Sequence, residues 1–254
     1  MVQFANPKIA TVQYGINFRQ PDQQVRFAQG EAERAFSAFV SSPSTQTNMP
    51  DLSDPNVPRI LFAGNGQKQI AISQLAVQLT LSFDNSLDIE EQWRIIKKNV
   101  TEFHSKALAF KAKEFYSISS LIVQVNSESN DSAREMNDFL YSHFMKFAAE
   151  DELASFSVTM GFKREGLYLN LNANVYEKRQ FKLEQSTIGQ VMAVLNTQDM
   201  KVIERGLSLS IDVNTRPRFA ESENAVVSEP AELFTAAHDF LTDQSSKVFG
   251  SSAG

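Results

Sequence analysis

Three histidines, His104, His143 and His238, are the side chains here best suited to ligating a metal or carrying a proton. None has a second ligand three or four residues away, the spacing that sets two donors on one helix face, so a preformed ligand pair is absent. His104 and His143 are expected on polar helix faces or at helix ends, and His238 beside Asp239 in an acidic tail. The chain has no cysteine, which removes thiolate metal sites, thiol nucleophiles and disulfides. Gly64-Asn65-Gly66 lacks the Gly-Lys-Ser/Thr that completes a phosphate loop and precedes a strand pattern, so it is read as a hairpin turn. No Gly-x-Ser-x-Gly elbow and no Glu-x-Lys pair occurs. The acid pairs Glu90/Glu91 and Asp151/Glu152 fall at predicted helix ends, where the helix dipole or solvation accounts for them.

Binding chemistry has three candidates. A basic segment, 94–113, holds Arg94, Lys97, Lys98, Lys106, Lys111 and Lys113, but Glu90, Glu91, Glu102 and Glu114 are interspersed, the pattern of a solvated face. A second basic cluster, 163–182, holds Lys163, Arg164, Lys178, Arg179 and Lys182, where cations also discourage edge pairing. The most unusual feature is the row Tyr168, Asn170, Asn172, Asn174 and Tyr176, an amide ladder between two tyrosines. Amides with flat aromatic area suit an uncharged contact surface, and they equally suit the wet face of a one-sided sheet.

These residues must be placed by strands and helices whose periodicities are clear. Val12, Tyr14, Ile16 and Phe18 alternate with polar residues as a half-buried strand. Val25 to Phe39 step as one helix ending near Ser41, and residues 41–58, with Pro43, Pro50, Pro55 and Pro58, read as a surface loop. Ile60–Phe62 and Ile70/Ile72 flank Asn65-Gly66 as a hairpin, and Leu75–Phe83 alternates as a third strand. Asp88 and Glu91 open a long helix through Ile89, Trp93, Ile96, Val100, Phe103, Ala107 and Phe110, and Ile118–Val125 returns as a strand. Ser132 and Glu135 open a further helix ending near Glu150. Phe156–Phe162 and Leu167–Val175 form a second hairpin through the Lys163–Gly166 turn. Residues 181–205 fit strand or helix equally, Leu207–Val213 is a last strand, and Ser228-x-Pro230 starts a closing helix.

The predicted class is therefore α+β: antiparallel sheets of amphipathic strands with helices on one face, in two related halves, 1–127 and 128–254. Three blocks in this order, Ile9–Phe18, the Pro-Arg-Ile-Leu-Phe run Pro58–Phe62, and Gly206–Val213 with Ala231–Gly250, resemble a sporadically distributed bacterial family of uncharacterised proteins of about this length. The chain departs from that pattern in its Pro-rich insertion and its Asn-rich second hairpin. The resemblance implies an α+β fold and carries over no functional residue.

A formal net charge of −6 argues against a general phosphate-backbone binder, and the acids cluster late, with six between Phe219 and Ser246 and no Lys or Arg among them. No leader pattern opens the chain and no run approaches the ~18 apolar residues of a membrane span, so cytoplasm is the expected compartment. The expected function is a non-enzymatic protein-interaction or assembly subunit of a bacterial-type cytoplasmic system. It would self-associate as a homo-oligomer or bind a protein partner, without cofactor or membrane, through Tyr168, Asn170, Asn172, Asn174, Tyr176, Lys97 and Lys98. Two alternatives stay open: an effector enzyme, nuclease-like or hydrolase, whose site assembles from distant residues, and a nucleic-acid adaptor using the two basic clusters.

Overall fold

The computed structural model describes residues 2–47, 50, 54–64, 66–84, 86–146, 151, 153–180, 200–221 and 230–249. Among the described residues nine strands form one antiparallel sheet: β1 (Lys8–Phe18), β2 (Ser44–Gln46), β3 (Ile60–Gly64), β4 (Lys68–Ile72), β5 (Ala76–Ser82), β6 (Tyr116–Glu128), β7 (Ser157–Arg164), β8 (Leu167–Gln180) and β9 (Lys201–Asn214). Their order across the sheet is β2-β3-β4-β5-β1-β6-β9-β8-β7. The helices are α1 (Gln29–Val40), α2 (Ile89–Phe110), α3 (Ala133–Phe144), the short α4 (Arg216–Glu221) and α5 (Pro230–Phe249).

The architecture is α+β, and the expected layering is present as a single continuous sheet. Strand, helix, three-strand meander and helix occur twice, as β1-α1-β3β4β5-α2 and β6-α3-β7β8β9-α5. In both passes the first strand returns beside the fourth, and the two first strands pair with each other. This order groups β6 with the second pass, whereas the sequence division at 127/128 left Ile118–Val125 with the first. One core cluster runs through both passes.

Alternation decides which side the helices cover. Val12, Tyr14 and Ile16 of β1, Leu121, Val123 and Val125 of β6, and Leu209, Ile211 and Val213 of β9 all point to the helix side and are buried. Above them, Phe36 of α1 stacks on Phe103 of α2 at 5.7 Å between centroids, and Tyr14 meets Phe103 edge-on at 5.9 Å. Side chains of this kind stabilise the fold by ~1.5–3 kcal/mol each when fully buried.

Helix boundaries follow local chemistry. Asp88 accepts a hydrogen bond from the Glu91 amide at 2.8 Å, but the Glu91 carboxylate turns to Arg94, so the reciprocal half of a capping box is missing. Ser132 and Glu135 form the complete box. The single helix expected from Val25 to Phe39 is split: a 3-10 turn, Gln23–Phe27, capped by Asp22, precedes α1. The stretch 41–58, expected as loop throughout, contributes β2. It is a three-residue edge strand after Pro43, the position where proline's missing donor costs no ladder bond. Asn65 lies outside the described residues, while Gly66 holds φ +72° in the turn it was assigned. The second hairpin turns on Glu165 and Gly166, both at positive φ, closing on the pair Arg164 and Leu167. Of the ambiguous 181–205, residues 201–205 belong to β9 and 181–199 lie outside the described residues, as do Ser228, Glu152 and Glu150.

Gly206 marks the tightest approach in the sheet, since a Cβ there would sit 2.1 Å from the Ser127 carbonyl oxygen on β6. Gly206→Ala is expected to lose about 3 kcal/mol, because backbone rather than a side-chain end must move. Gly30→Ala, with nothing within 4 Å of the added methyl in α1, is expected to gain ~0.5–1 kcal/mol. Urea denaturation midpoints of the two variants against the parent chain check both signs.

Candidate interaction face

All the packed helices lie on one side of the sheet, so the opposite side is open. Its chemistry can be read row by row from the strand register. One row runs Thr45, Leu61, Ala71, Gln78 and Gly15, then Ser120, Asn214, Tyr168 and Lys163. The next runs Ala63, Gln69, Thr80 and Gln13, then Ile122, Asp212, Asn170 and Gly161. A third runs Ser82, Thr11, Gln124, Ser210, Asn172 and Thr159. Amides, hydroxyls and small residues fill these rows, and Asp212 is the one carboxylate in them.

The side chains bind one another across the strands. Gln78 donates to Gln13 at 3.0 Å, Thr11 to Gln124 at 3.3 Å, and Gln124 to Ser208 at 3.0 Å. Asn172 donates to Thr159 at 2.9 Å, and Asn214 donates to Asp212 Oδ2 at 3.1 Å. Asp212 Oδ1 is out of solvent without a hydrogen-bond partner.

The expected row of Tyr168, Asn170, Asn172, Asn174 and Tyr176 lies on this open face along β8. Tyr168 is 40% exposed. Tyr176 instead donates its hydroxyl to Glu204 at 2.9 Å. Lys97 and Lys98, expected to act with this row, are elsewhere: both are exposed on α2, on the helix side, with the Lys97 ammonium 5.8 Å from the Phe234 ring centre. The structure therefore separates the seven residues onto two surfaces. What a single sequence missed is the contribution of β1, β5, β6 and β9 to the same face. Each strand's polar alternation was visible, but the strand order that joins them was not.

Part of each basic cluster pairs with nearby acids. Lys163 pairs with Glu221 at 2.8 Å, Lys178 with Glu204 at 2.7 Å and Arg179 with Glu177 at 2.5 Å. In the other cluster Arg94 pairs with Glu91, and Lys111 with Asp22 at 3.2 Å.

The histidines are dispersed. His104, expected on a polar face or helix end, is buried and its Nδ1 lies 2.8 Å from the Tyr14 hydroxyl. A helix packed on a sheet and on neighbouring helices buries more than a single stripe, so the residue after Phe103 turns inward as well. His143 lies between Phe139 and Phe144, and His238 bonds Asp239 at 3.0 Å with its ring against Trp93. Among the described residues no group of three or more His, Asp or Glu is placed to hold a metal ion. The described helices include none long and apolar enough to cross a membrane.

Several clefts flank the sheet among the described residues. One, about 510 Å³, lies between Gln3–Ala5, Glu128–Asn130 and Val202–Arg205. Another, about 320 Å³, opens between α2 and α5 and is lined by Phe4, Trp93, Leu241 and Phe249. No family model, curated protein or solved structure matches this chain.

Burial, then the hydrogen bond to Glu204, pushes the Tyr176 hydroxyl well above its ordinary pKa of 10.0, and burial does the same to Tyr116, whose hydroxyl donates to the Ala107 carbonyl at 2.7 Å. Both groups are neutral in the fold and ionise more readily in the unfolded chain. Their contribution is complete below pH 10 and declines as pH rises from there towards the folded-state values. Alkaline destabilisation is expected to begin near pH 10.0 and to be shallower in Tyr176→Phe, as read from urea midpoints across the alkaline range.

Proposed function

We propose that this chain is a non-enzymatic interaction subunit whose working surface is the open face of the sheet. The observation that carries this reading is the continuity of that face across all nine strands with almost no charge on it. A sheet with one face packed needs its other face only to be wet, and Lys and Glu would serve. Here, Asp212 apart, the charged residues sit at the rims, where Lys178 and Glu204 pair, and the interior rows carry mainly Gln, Asn, Ser and Thr. Depletion of charge at the centre with a charged margin is the compositional mark of a protein contact surface. A nucleic-acid surface would instead present unpaired Lys and Arg to phosphates.

The test is cross-linked recovery of the tagged full chain from its native cell, comparing the parent with Ile122→Arg and Asn172→Arg. The expected result is a stoichiometric protein complex that survives elevated salt and weakens about 10- to 100-fold in either variant. Lys97→Ala with Lys98→Ala, on the opposite surface, should leave it intact. Recovery of salt-labile nucleic acid, or a complex indifferent to both face variants, overturns the reading.

A further inference from the structure

The sheet ends differently on its two sides. At one margin β2, three residues long, follows Pro43 and covers β3. At the other, among the described residues, no strand pairs with the outer edge of β7. This edge is eight residues in unbroken register with β8, containing no proline and no bulge, with charge only at Lys163 and Arg164. Such an edge presents a full row of backbone donors and acceptors, and the usual protective devices are missing along most of it. Its helix-side row, Val158, Met160 and Phe162, also extends the apolar layer past its cover. Phe162 touches Phe240 at 5.3 Å between centroids yet stays 41% exposed.

We propose that β7 pairs antiparallel with β7 of a second copy of this chain, about a two-fold axis perpendicular to the sheet. Opposed residues of an antiparallel pair point to the same face, so the axis must pass through a residue position. Centred on Met160, the register sets Val158 against Phe162 twice, Met160 against itself, and Ser157 against Lys163 twice. Between Val158 and Phe162 apolar side chains then meet only apolar ones on the helix side, no like charges oppose, and Arg164 falls beyond the partner strand, opposite Phe156. Centred on Gly161, it would set Arg164 against Val158 inside the paired strands. The chain already contains one junction of this kind, since β1 and β6 are the equivalent first strands of its two passes and join them edge to edge. The product is a sheet twice as wide, with both open faces on one side and both helix layers on the other.

This extends the interaction reading to self-association, and the two fail separately because the face reading is tested at Ile122 and Asn172 on inner strands, whereas the junction is read at Ser157 and Met160 of β7. Sedimentation velocity of the full chain is expected to show a species of twice 28.4 kDa in concentration-dependent exchange with the single chain. Ser157 is exposed, so its variants fold as the parent does. Ser157→Lys, opposing Lys163, should raise the dissociation constant by about threefold to tenfold, and Ser157→Glu should lower it by a similar factor. Met160→Glu, which opposes two carboxylates on the axis, should raise it at least about tenfold, with its circular dichroism melt confirming a folded chain. Glu31→Gln, exposed on α1 away from β7, should leave it unchanged. A single-chain species at every concentration overturns the proposal, including the case in which β7 accepts a foreign extended segment. A dimer indifferent to the Ser157 and Met160 variants, or one shifted in the same direction by both Ser157 variants, overturns it as well.

Discussion

The structure depends on the antiparallel pairing of β1 with β6. Val12 opposite Val123 and Tyr14 opposite Leu121 join the two passes into one sheet, and their helix-side neighbours supply the floor on which both helix layers rest. Without that ladder each pass would be a four- or five-stranded sheet with an extra bare edge and a smaller core. Two polar contacts pin α2 to the junction. The Gln92 side chain accepts from the Ile9 amide at 2.8 Å and donates to the Ile9 carbonyl at 3.0 Å, next to the register shift between Ile9 and Thr11. Those bonds satisfy backbone groups at a bulge, where the ladder is locally disrupted. About three turns further along α2, His104 meets the Tyr14 hydroxyl, fixing the rotation of the helix as well as its position.

One-sided packing has a chemical consequence for the other side. With strands about 4.8 Å apart, a Gln or Asn on one reaches its neighbour's polar group directly, so an amide-rich face completes part of its own hydrogen bonding. The Gln78–Gln13 and Thr11–Gln124–Ser208 contacts show this at the centre, and Asn172–Thr159 shows it near the margin. Net negative charge is displaced to the helices and the rims, where Lys178 pairs with Glu204 and Lys247 with Asp243.

Legibility from sequence followed the range of the interaction. Period-two alternation made β1, β5, β8 and most of β9 evident, because a strand buried on one face writes its own pattern. The 4-3 stripe did the same for α2, and the Ser132/Glu135 spacing located the start of α3. Strand order was not legible: β1 lies between β5 and β6, partners about 65 and 110 residues away, and no local signal encodes that choice. For the same reason the amide row on β8 was visible as one strand's wet side but not as part of a face spanning the molecule. Gln92 and Arg59, both buried, were invisible for a different reason. Each is polar by type and is buried only because a specific backbone needs it, Arg59 donating to the Val57 carbonyl at 3.0 Å.

A face that is already hydrogen-bonded to itself sets the terms on which anything can dock there. Its amides are partly ordered before contact, which lowers the ~0.5–1.5 kcal/mol per side chain that immobilisation otherwise costs. The same bonds leave fewer unsatisfied donors and acceptors for a partner to complete, so new hydrogen bonds add little net affinity. Binding strength must then come from apolar contact, and the face holds a limited set of such points: Leu61, Ala63 and Ala71 on one wing, Ile122 at the centre and the Tyr168 ring on the other. Spaced among amides rather than gathered into a patch, they favour a broad, flat, shape-matched surface over a short inserted segment.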